Sequence, residues 1–120
     1  MPKIEHQTIV EKLWGSELII INHPQYCGKI LTLKPGFQCS LHAHHVKAES
    51  FLTMSGVVEL ETYEHAGILN LHRLNPGEAY RIEPGVYHRF RSVGGPATMI
   101  EFSSHHEDSD TYRLEESRAI

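Results

Sequence analysis

The residues best suited to chemistry in this 120-residue sequence lie close together in one short stretch. His42, His44 and Glu49 fall within eight residues. If this stretch forms a β-strand, side chains two residues apart point to the same side, so His42 and His44 face one way and His45 faces the other. Imidazole nitrogens and carboxylate oxygens are ligands that suit zinc, iron, manganese, nickel or copper. The spacing therefore predicts most of a metal site.

A further ligand is expected from a second stretch, GEAYRIEPGVYHRF at residues 77–90. Pro84-Gly85 predicts a turn, and the strand that follows it would carry His88 and Phe90 on one face. A site with histidine and carboxylate ligands leaves positions open for water or substrate, and it suits zinc, manganese, iron, nickel or cobalt. We predict one divalent metal ion per chain, held by His42, His44, Glu49 and His88.

Both stretches resemble the two sequence motifs of the cupin superfamily. Gly36-x5-His42-x-His44-x4-Glu49-x6-Gly56 is similar to the first motif. Residues 77–88 are similar to the second, with Glu83 where that motif has its first proline. The resemblance implies an all-β fold, namely a single-domain jelly-roll β-barrel.

A narrower resemblance covers nearly the full length. It rests on Trp14-Gly15, the segment 44–49, His88-Arg89 and EDSDTYR at 107–113. These segments are similar to small cupins of the mannose-6-phosphate isomerase type, particularly the C-terminal cupin part of the bacterial bifunctional (type II) enzymes. His42 stands where those enzymes often have glutamine, which brings the ligand set closer to other sugar-isomerase cupins such as the lyxose isomerases. The resemblance implies a divalent-metal-dependent aldose–ketose isomerase for a sugar or sugar phosphate.

Isomerisation by proton transfer also needs a base, for which we consider Lys29 and Glu101 the catalytic candidates. Glu59, Glu61 and His105 are alternatives. Lys29 shares its face of a predicted strand with apolar residues, so we expect it at a sheet edge or lining a cavity. Glu101 alternates with apolar neighbours, which favours a solvent-facing side chain.

A sugar or sugar phosphate would contact residues at the mouth of the barrel. The candidates are Trp14, Lys47, Arg81, Arg89 and His105. Trp14 would either stack on a sugar face or fill the end of the barrel. The lysine and the arginines would donate to phosphate or hydroxyl oxygens. Strand alternation from His88, however, favours a surface position for Arg89.

Two other functions suit the same metal ligands. A cupin oxygenase would use histidines, a carboxylate and open positions for iron and dioxygen. A non-catalytic cupin would bind metal or carbohydrate without turnover, because a fold by itself does not determine function. Oxygen uptake would indicate the first alternative, and binding without turnover would indicate the second.

Many short strands bounded by Gly and Pro must position these residues, since no segment shows a helical period. We predict strands at 17–22, 29–33, 38–43, 48–54, 57–63, 68–74, 79–83, 86–91 and 97–102. We predict turns at Ser55-Gly56, His65-Ala66-Gly67, Asn75-Pro76-Gly77, Pro84-Gly85 and Gly94-Gly95-Pro96. This pattern is typical of a β-sandwich or β-barrel.

One cupin domain is expected over 1–120, with its core at about 15–103. The polar, charge-rich tail at 104–120 would be a solvated end or would cover a sheet edge. An exposed edge in so small a barrel predicts a homodimer, with the first strand or the tail packing across.

Charge and apolar content limit the partners and the location. The net charge of -4 argues against nucleic acid or an anionic membrane surface as the main partner. A small-molecule partner, a sugar or sugar phosphate, is what the resemblance implies. No apolar run approaches the length of a membrane span, and the N-terminal residues lack the apolar region of a signal peptide. We therefore expect a cytoplasmic protein in which Cys27 and Cys39 are free thiols.

Overall fold

The computed structural model describes residues 3–64 and 67–120, so most of the predicted turn at His65-Ala66-Gly67 lies outside the described residues. The strands are β1 Thr8–Lys12, β2 Gly15–His23, β3 Tyr26–Leu33, β4 Phe37–Gln38, β5 Leu41–His44, β6 Glu49–Glu64, β7 Ile68–Leu74, β8 Ala79–Ile82, β9 Tyr87–Ser103, β10 Thr111–Glu115 and β11 Arg118–Ala119. A 3-10 turn at Asp108–Asp110 precedes β10. In the described ranges there is no α-helix, and therefore no helix long and apolar enough to cross a membrane.

The strands form an antiparallel sheet that curls into a jelly-roll barrel around β9. This strand pairs with β3, β4, β5 and β6, so it links the parts of the barrel that carry the two motifs. The all-β jelly-roll fold predicted from the sequence is confirmed.

Two turns were predicted wrongly, at Ser55-Gly56 and Gly94-Gly95-Pro96. Residues 49–64 and 87–103 are continuous strands that pair with each other along almost their whole lengths. The register shifts twice, between Thr53 and Ser55 and between Ser55 and Val57, and Gly56 lies within the second shift. The glycines allow bulges that bend the ladder without ending it, so glycine-rich positions marked a bend and not a chain reversal.

The inside of the barrel is apolar in one part and charged in another. The core includes Trp14, whose ring packs edge-on against Phe90 with centroids 5.1 Å apart. On β3, alternation points Lys29, Leu31 and Leu33 inward, so one strand supplies a buried lysine to the charged part and two leucines to the core. Lys29 thus lines an internal cavity, one of the two positions expected for it.

The tail covers a sheet edge, and the alternative of a solvated end is wrong. β10 pairs with β5, and β11 pairs with β4. The side chain of Asn22 also bonds the backbone of His106, donating to its O and accepting from its N, at 3.0 Å each. Both β1 and the tail pair with strands of their own chain. The homodimer stays a prediction.

The bulge on β6 requires a residue without a side chain at position 56, and this requirement can be tested. Its φ is +73°, and a Cβ added there would lie 2.4 Å from the carbonyl oxygen of Pro96. Gly36 is a matched control, because its φ is +87° but an added Cβ would meet nothing within 4 Å. We expect Gly36→Ala to cost about 1–2 kcal/mol of unfolding free energy from left-handed strain alone. Gly56→Ala should cost clearly more, about 3 kcal/mol or above, because the clash with backbone adds to that strain. Urea unfolding measures both, and equal costs would contradict the close approach.

Candidate metal centre

Three strands bring the four predicted metal ligands together. His42 and His44 lie on β5, Glu49 begins β6 and His88 lies near the start of β9. One ligand atom from each residue lies within 4.8 Å of all the others. His42 and His88 are directly opposite each other in the ladder, with ring centroids 4.4 Å apart. The pairing of β5 with β9 therefore joins the second motif to the first.

Backbone carbonyls fix the orientation of two of the imidazoles. Nδ1 of His88 lies 2.9 Å from the O of Val86, and Nδ1 of His42 lies 2.8 Å from the O of Ser40. Because a carbonyl oxygen can only accept, each Nδ1 donates, and each Nε2 of the neutral ring keeps its lone pair. This is the arrangement found in metal-ligating histidines, whose second nitrogen is held by an outer partner.

The contact between His88 and Glu49 indicates whether a metal cation would fit between the four candidate ligands. Nε2 of His88 faces Oε1 of Glu49 at 2.6 Å, and Nε2 of His44 lies 3.4 Å from the same oxygen. With Nδ1 protonated, the first contact joins two acceptors, and neither atom has a hydrogen-bond partner among the described residues. A divalent cation would satisfy both atoms at once, so the residues present fit a metal ion.

The protonation states also suit metal binding. Burial, followed by the neighbouring His88, lowers the pKa of His42 to about 3, which keeps this ring neutral. Burial by itself would raise the pKa of Glu49, but the groups around its carboxylate, including the ammonium of Lys47, hold it well below its ordinary value. A neutral imidazole and an ionised carboxylate are the forms that bind metals.

Lys47 holds the second oxygen of Glu49. Its Nζ lies 3.3 Å from Oε2 of Glu49, 2.8 Å from Oε2 of Glu101 and 3.1 Å from Nδ1 of His106. Burial by itself would lower the pKa of Lys47, but the two carboxylates raise it above its ordinary value. Lys47, predicted as a substrate contact, lines the cavity as a fixed cation whose three donors already face three acceptors.

The solvent-facing orientation expected for Glu101 is wrong. Glu101 is 4% exposed and lines the cavity, whereas its neighbour Phe102 is 54% exposed. Alternation along β9 is as expected, but this end of the barrel is charged inside and apolar outside. The usual assignment of the apolar face to the interior therefore fails here.

The predicted residues divide between the cavity and the outer surface. The cavity, of about 90 Å³, is lined by Trp14, Lys29, Lys47 and Glu101 in addition to His42, His44 and Glu49. Trp14 lines this cavity and also packs into the core, and its stacking on a sugar face stays a prediction. His45 is exposed and packs against Tyr112, as strand alternation predicted.

Three predicted substrate contacts do not line the cavity. Arg81 is on the outer surface, where its side chain is 80% exposed and pairs with Glu83 at 2.9 Å. Arg89 faces outward and pairs with Glu61 at 2.8 Å and with Glu115 at 2.6 Å. His105 turns away, with Nδ1 3.2 Å from the O of His23. Arg89 faces outward because it follows the inward-facing His88 on the same strand. Both arginines form ion pairs with nearby glutamates.

The tail supplies supporting groups that the sequence analysis missed. Asp110 accepts from three successive backbone N–H groups, those of His45, Val46 and Lys47, at 3.0, 2.9 and 2.9 Å. These donors lower the pKa of Asp110 although burial opposes them. Oγ1 of Thr111 lies 3.2 Å from Nδ1 of His44. The EDSDTYR segment was the available signal, but no periodicity placed it beside the site.

Fold and site together define a β-barrel protein with a candidate metal centre inside the barrel. Its residues 29–103 match the family model described as the cupin domain, which is more than half of the chain. The chain therefore belongs to the cupin family. Cupins usually bind a metal, and this member has a histidine and glutamate cluster that could hold one.

Its relatives include sugar-metabolising enzymes. A D-lyxose/D-mannose isomerase of Thermosediminibacter oceani is 32% identical, in an alignment that covers 76% of this chain and 62% of that protein. The mannose-1-phosphate guanylyltransferase RfbM of Salmonella typhimurium is 26% identical over 115 residues, 93% of this chain and 23% of that protein. The chain thus spans about three fifths of the first relative and under a quarter of the second.

A solved structure with the same fold is the capsular polysaccharide assembling protein CapF of Staphylococcus aureus. It superimposes with a TM-score of 0.81 at 24% identity, over 92% of this chain and 32% of that chain. At this identity, the similarity concerns the fold alone.

Adjacent histidines offer a direct test of the ligand set. We expect His44→Ala to weaken zinc or manganese binding by about 100-fold or more, because a ligand is lost. His45→Ala should bind normally, since that ring faces away from the cluster. Titration with a competing chelator measures both affinities. Equal affinities in the two variants would contradict the site.

The three hydrogen bonds that Asp110 accepts from the backbone of residues 45–47, which we call the Asp110 clamp, can be tested separately from the metal ligands. In Asp110→Asn, an amide NH₂ would face a backbone N–H, so the bend at 45–47 should loosen. We expect faster amide hydrogen exchange at residues 45–47 and about tenfold weaker metal binding. Glu107→Gln is the control, because the Glu107 carboxylate lies by His105 at 3.4 Å and outside the clamp. Unchanged exchange at these amides in Asp110→Asn would contradict the clamp.

Proposed function

We propose that the protein is a divalent-metal-dependent aldose–ketose isomerase that acts on a small sugar or sugar phosphate. The observation that carries this proposal is a buried acid and a buried lysine, Glu101 and Lys29, in the same cavity as the candidate metal ligands. A related isomerase that shares 32% identity supports the substrate class.

The four ligands would hold a metal ion at the inner wall of the cavity. When bound, a divalent metal supplies Lewis acidity that stabilises negative charge on the C1 and C2 oxygens of a sugar. Glu49 and the three histidines would orient that ion, while Lys47 keeps the second oxygen of Glu49 in place. The small cavity would admit the reacting end of a sugar and exclude bulk water from it.

Glu101 is our proposed base. It lines the cavity opposite Lys29, its direct partner in the β3–β9 ladder, so both side chains lie on the inner face. Glu101 would remove the proton from C2 and return it to C1, while Lys29 would give a proton to O1 and take up the hydroxyl proton that O2 loses. Lys47 is unsuited to act as the base because its carboxylate partners keep it protonated.

The other candidate bases have positions that do not fit. Glu59 accepts two hydrogen bonds from Arg91, at 3.0 and 2.6 Å, and does not line the cavity. Glu61 pairs with Arg89 on the outer face. An oxygenase or a binding protein would share the metal ligands but does not require a proton-transferring acid and lysine beside them, so we favour the isomerase.

Proton exchange tests the proposal directly. The metal-loaded protein should exchange the C2 proton of one aldose, or of its 6-phosphate, with deuterated water, as followed by NMR. Glu101→Gln should keep its metal and reduce exchange by about 10²–10⁴-fold, because the base is lost. Glu59→Gln, a carboxylate outside the cavity, should exchange at the normal rate.

The contrary outcomes are specific. Metal-loaded protein that exchanges no sugar but consumes oxygen would identify an oxygenase. Normal exchange in Glu101→Gln would remove Glu101 from the mechanism, and Lys29→Met would then identify whether Lys29 is the base.

A further inference from the structure

The charges that line the cavity are not all paired. Its four cations are Lys12, Lys29, Lys47 and Arg113. Nζ of Lys29 lies 3.7 Å from Glu17, and Lys47 lies between two buried carboxylates. Over residues 3–64 and 67–120, neither Lys12 nor Arg113 has a carboxylate oxygen within 4.0 Å. Two of the cavity cations therefore have no carboxylate in direct contact, although Asp108, which also lines the cavity, is near enough to Lys12 for the two charges to interact.

Strand register places one of these cations beside the metal ligands. In the β5–β10 ladder, Arg113 is directly opposite His42. Residues directly opposite each other share a face of the sheet, with Cβ atoms about 4.5–5.5 Å apart. Arg113 therefore projects on the side of the sheet that carries the ligand histidines, and its exposure places it at the mouth of the cavity.

In the part of the chain that the structure describes, one hydrogen bond anchors the guanidinium of Arg113 and leaves most of its donors available. Nε of Arg113 donates to Oγ of Ser40 at 3.3 Å, and the same oxygen lies 3.0 Å from Nδ1 of His42. Arginine has five N–H donors in a planar fork, so four remain to bind a ligand. This fork matches the oxygens of phosphate or carboxylate groups.

We propose that Arg113, assisted by Lys12, binds an anionic group of the substrate, so that the substrate is a sugar phosphate and not a free sugar. The inference rests on the proposed function and makes its substrate class narrower. The cavity, at about 90 Å³, accepts the reacting end, while the group bound by Arg113 lies at the mouth. Of the other cations expected at the mouth of the barrel, Arg81 and Arg89 pair with acids outside the cavity.

The test compares D-mannose 6-phosphate, D-mannose and D-mannuronate as substrates and as ligands of the metal-loaded protein. We expect Arg113→Met to raise KM for the phosphorylated sugar by about 10- to 100-fold and to leave KM for the free sugar unchanged. Arg113→Lys should recover part of the loss, because it restores a point charge without the fork. Arg73→Met, which removes a cation 66% exposed on β7, is the control and should resemble the unmodified protein.

Calorimetric titration with the same compounds separates this inference from the proposed function. If no sugar is turned over, weaker binding of the phosphate compound by Arg113→Met still supports the anion site, while the isomerase proposal fails. A preference for D-mannuronate that Arg113→Met abolishes would support the anion site but overturn the phosphate assignment. Equal effects of Arg113→Met on charged and uncharged sugars, or no effect with full metal content, would overturn the inference.

Discussion

The structure depends above all on the burial of one carboxylate, that of Glu49. A buried ionised group costs several kcal/mol unless charges and hydrogen bonds compensate for it. Here one oxygen faces the imidazoles of His44 and His88, and the other faces the ammonium of Lys47. The charge of Lys47 is shared in turn with Glu101. One buried ammonium thus compensates two buried carboxylates, so removal of Lys47 would leave both of them without a positive partner.

The jelly roll provides this charged interior without losing its apolar core. The inner faces of β3 and β6 begin with an ionisable residue and continue with apolar ones, as in Lys29, Leu31 and Leu33 on β3. The inner face of β9 has an ionisable residue near each end, His88 and Glu101, with apolar residues between them. The apolar part, which includes Trp14 and Phe90, stabilises the barrel and closes one wall of the cavity. A stable scaffold of paired strands can therefore hold charged groups in fixed positions, which a metal centre requires.

The C-terminal segment adds an outer layer to the same site. His106 contacts Lys47, Asp110 holds the bend between the ligand histidines and Glu49, and Thr111 contacts His44. Arg113 follows two residues later on the same side of the strand. Positions 106 to 113 thus support a ligand, a bend and a buried cation, and they bring a further cation to the cavity mouth. The charge of this segment reflects its place at the site and not simply contact with water.

The candidate metal ligands could be predicted from local spacing. Alternation along a single strand places His42 and His44 on one side of the sheet whatever the rest of the fold does. The cupin resemblance likewise gave the all-β barrel. Alternation does not say which side is inside, and Glu101 was assigned outward because apolar neighbours normally mark the buried face. Only the tertiary structure shows that the barrel is charged on the inner face that carries Glu101. It also shows that Arg113 lies opposite His42 and that the glycines bend continuous strands. These features depend on register between segments far apart in sequence, which is set by the packing of the whole barrel and leaves no local signal.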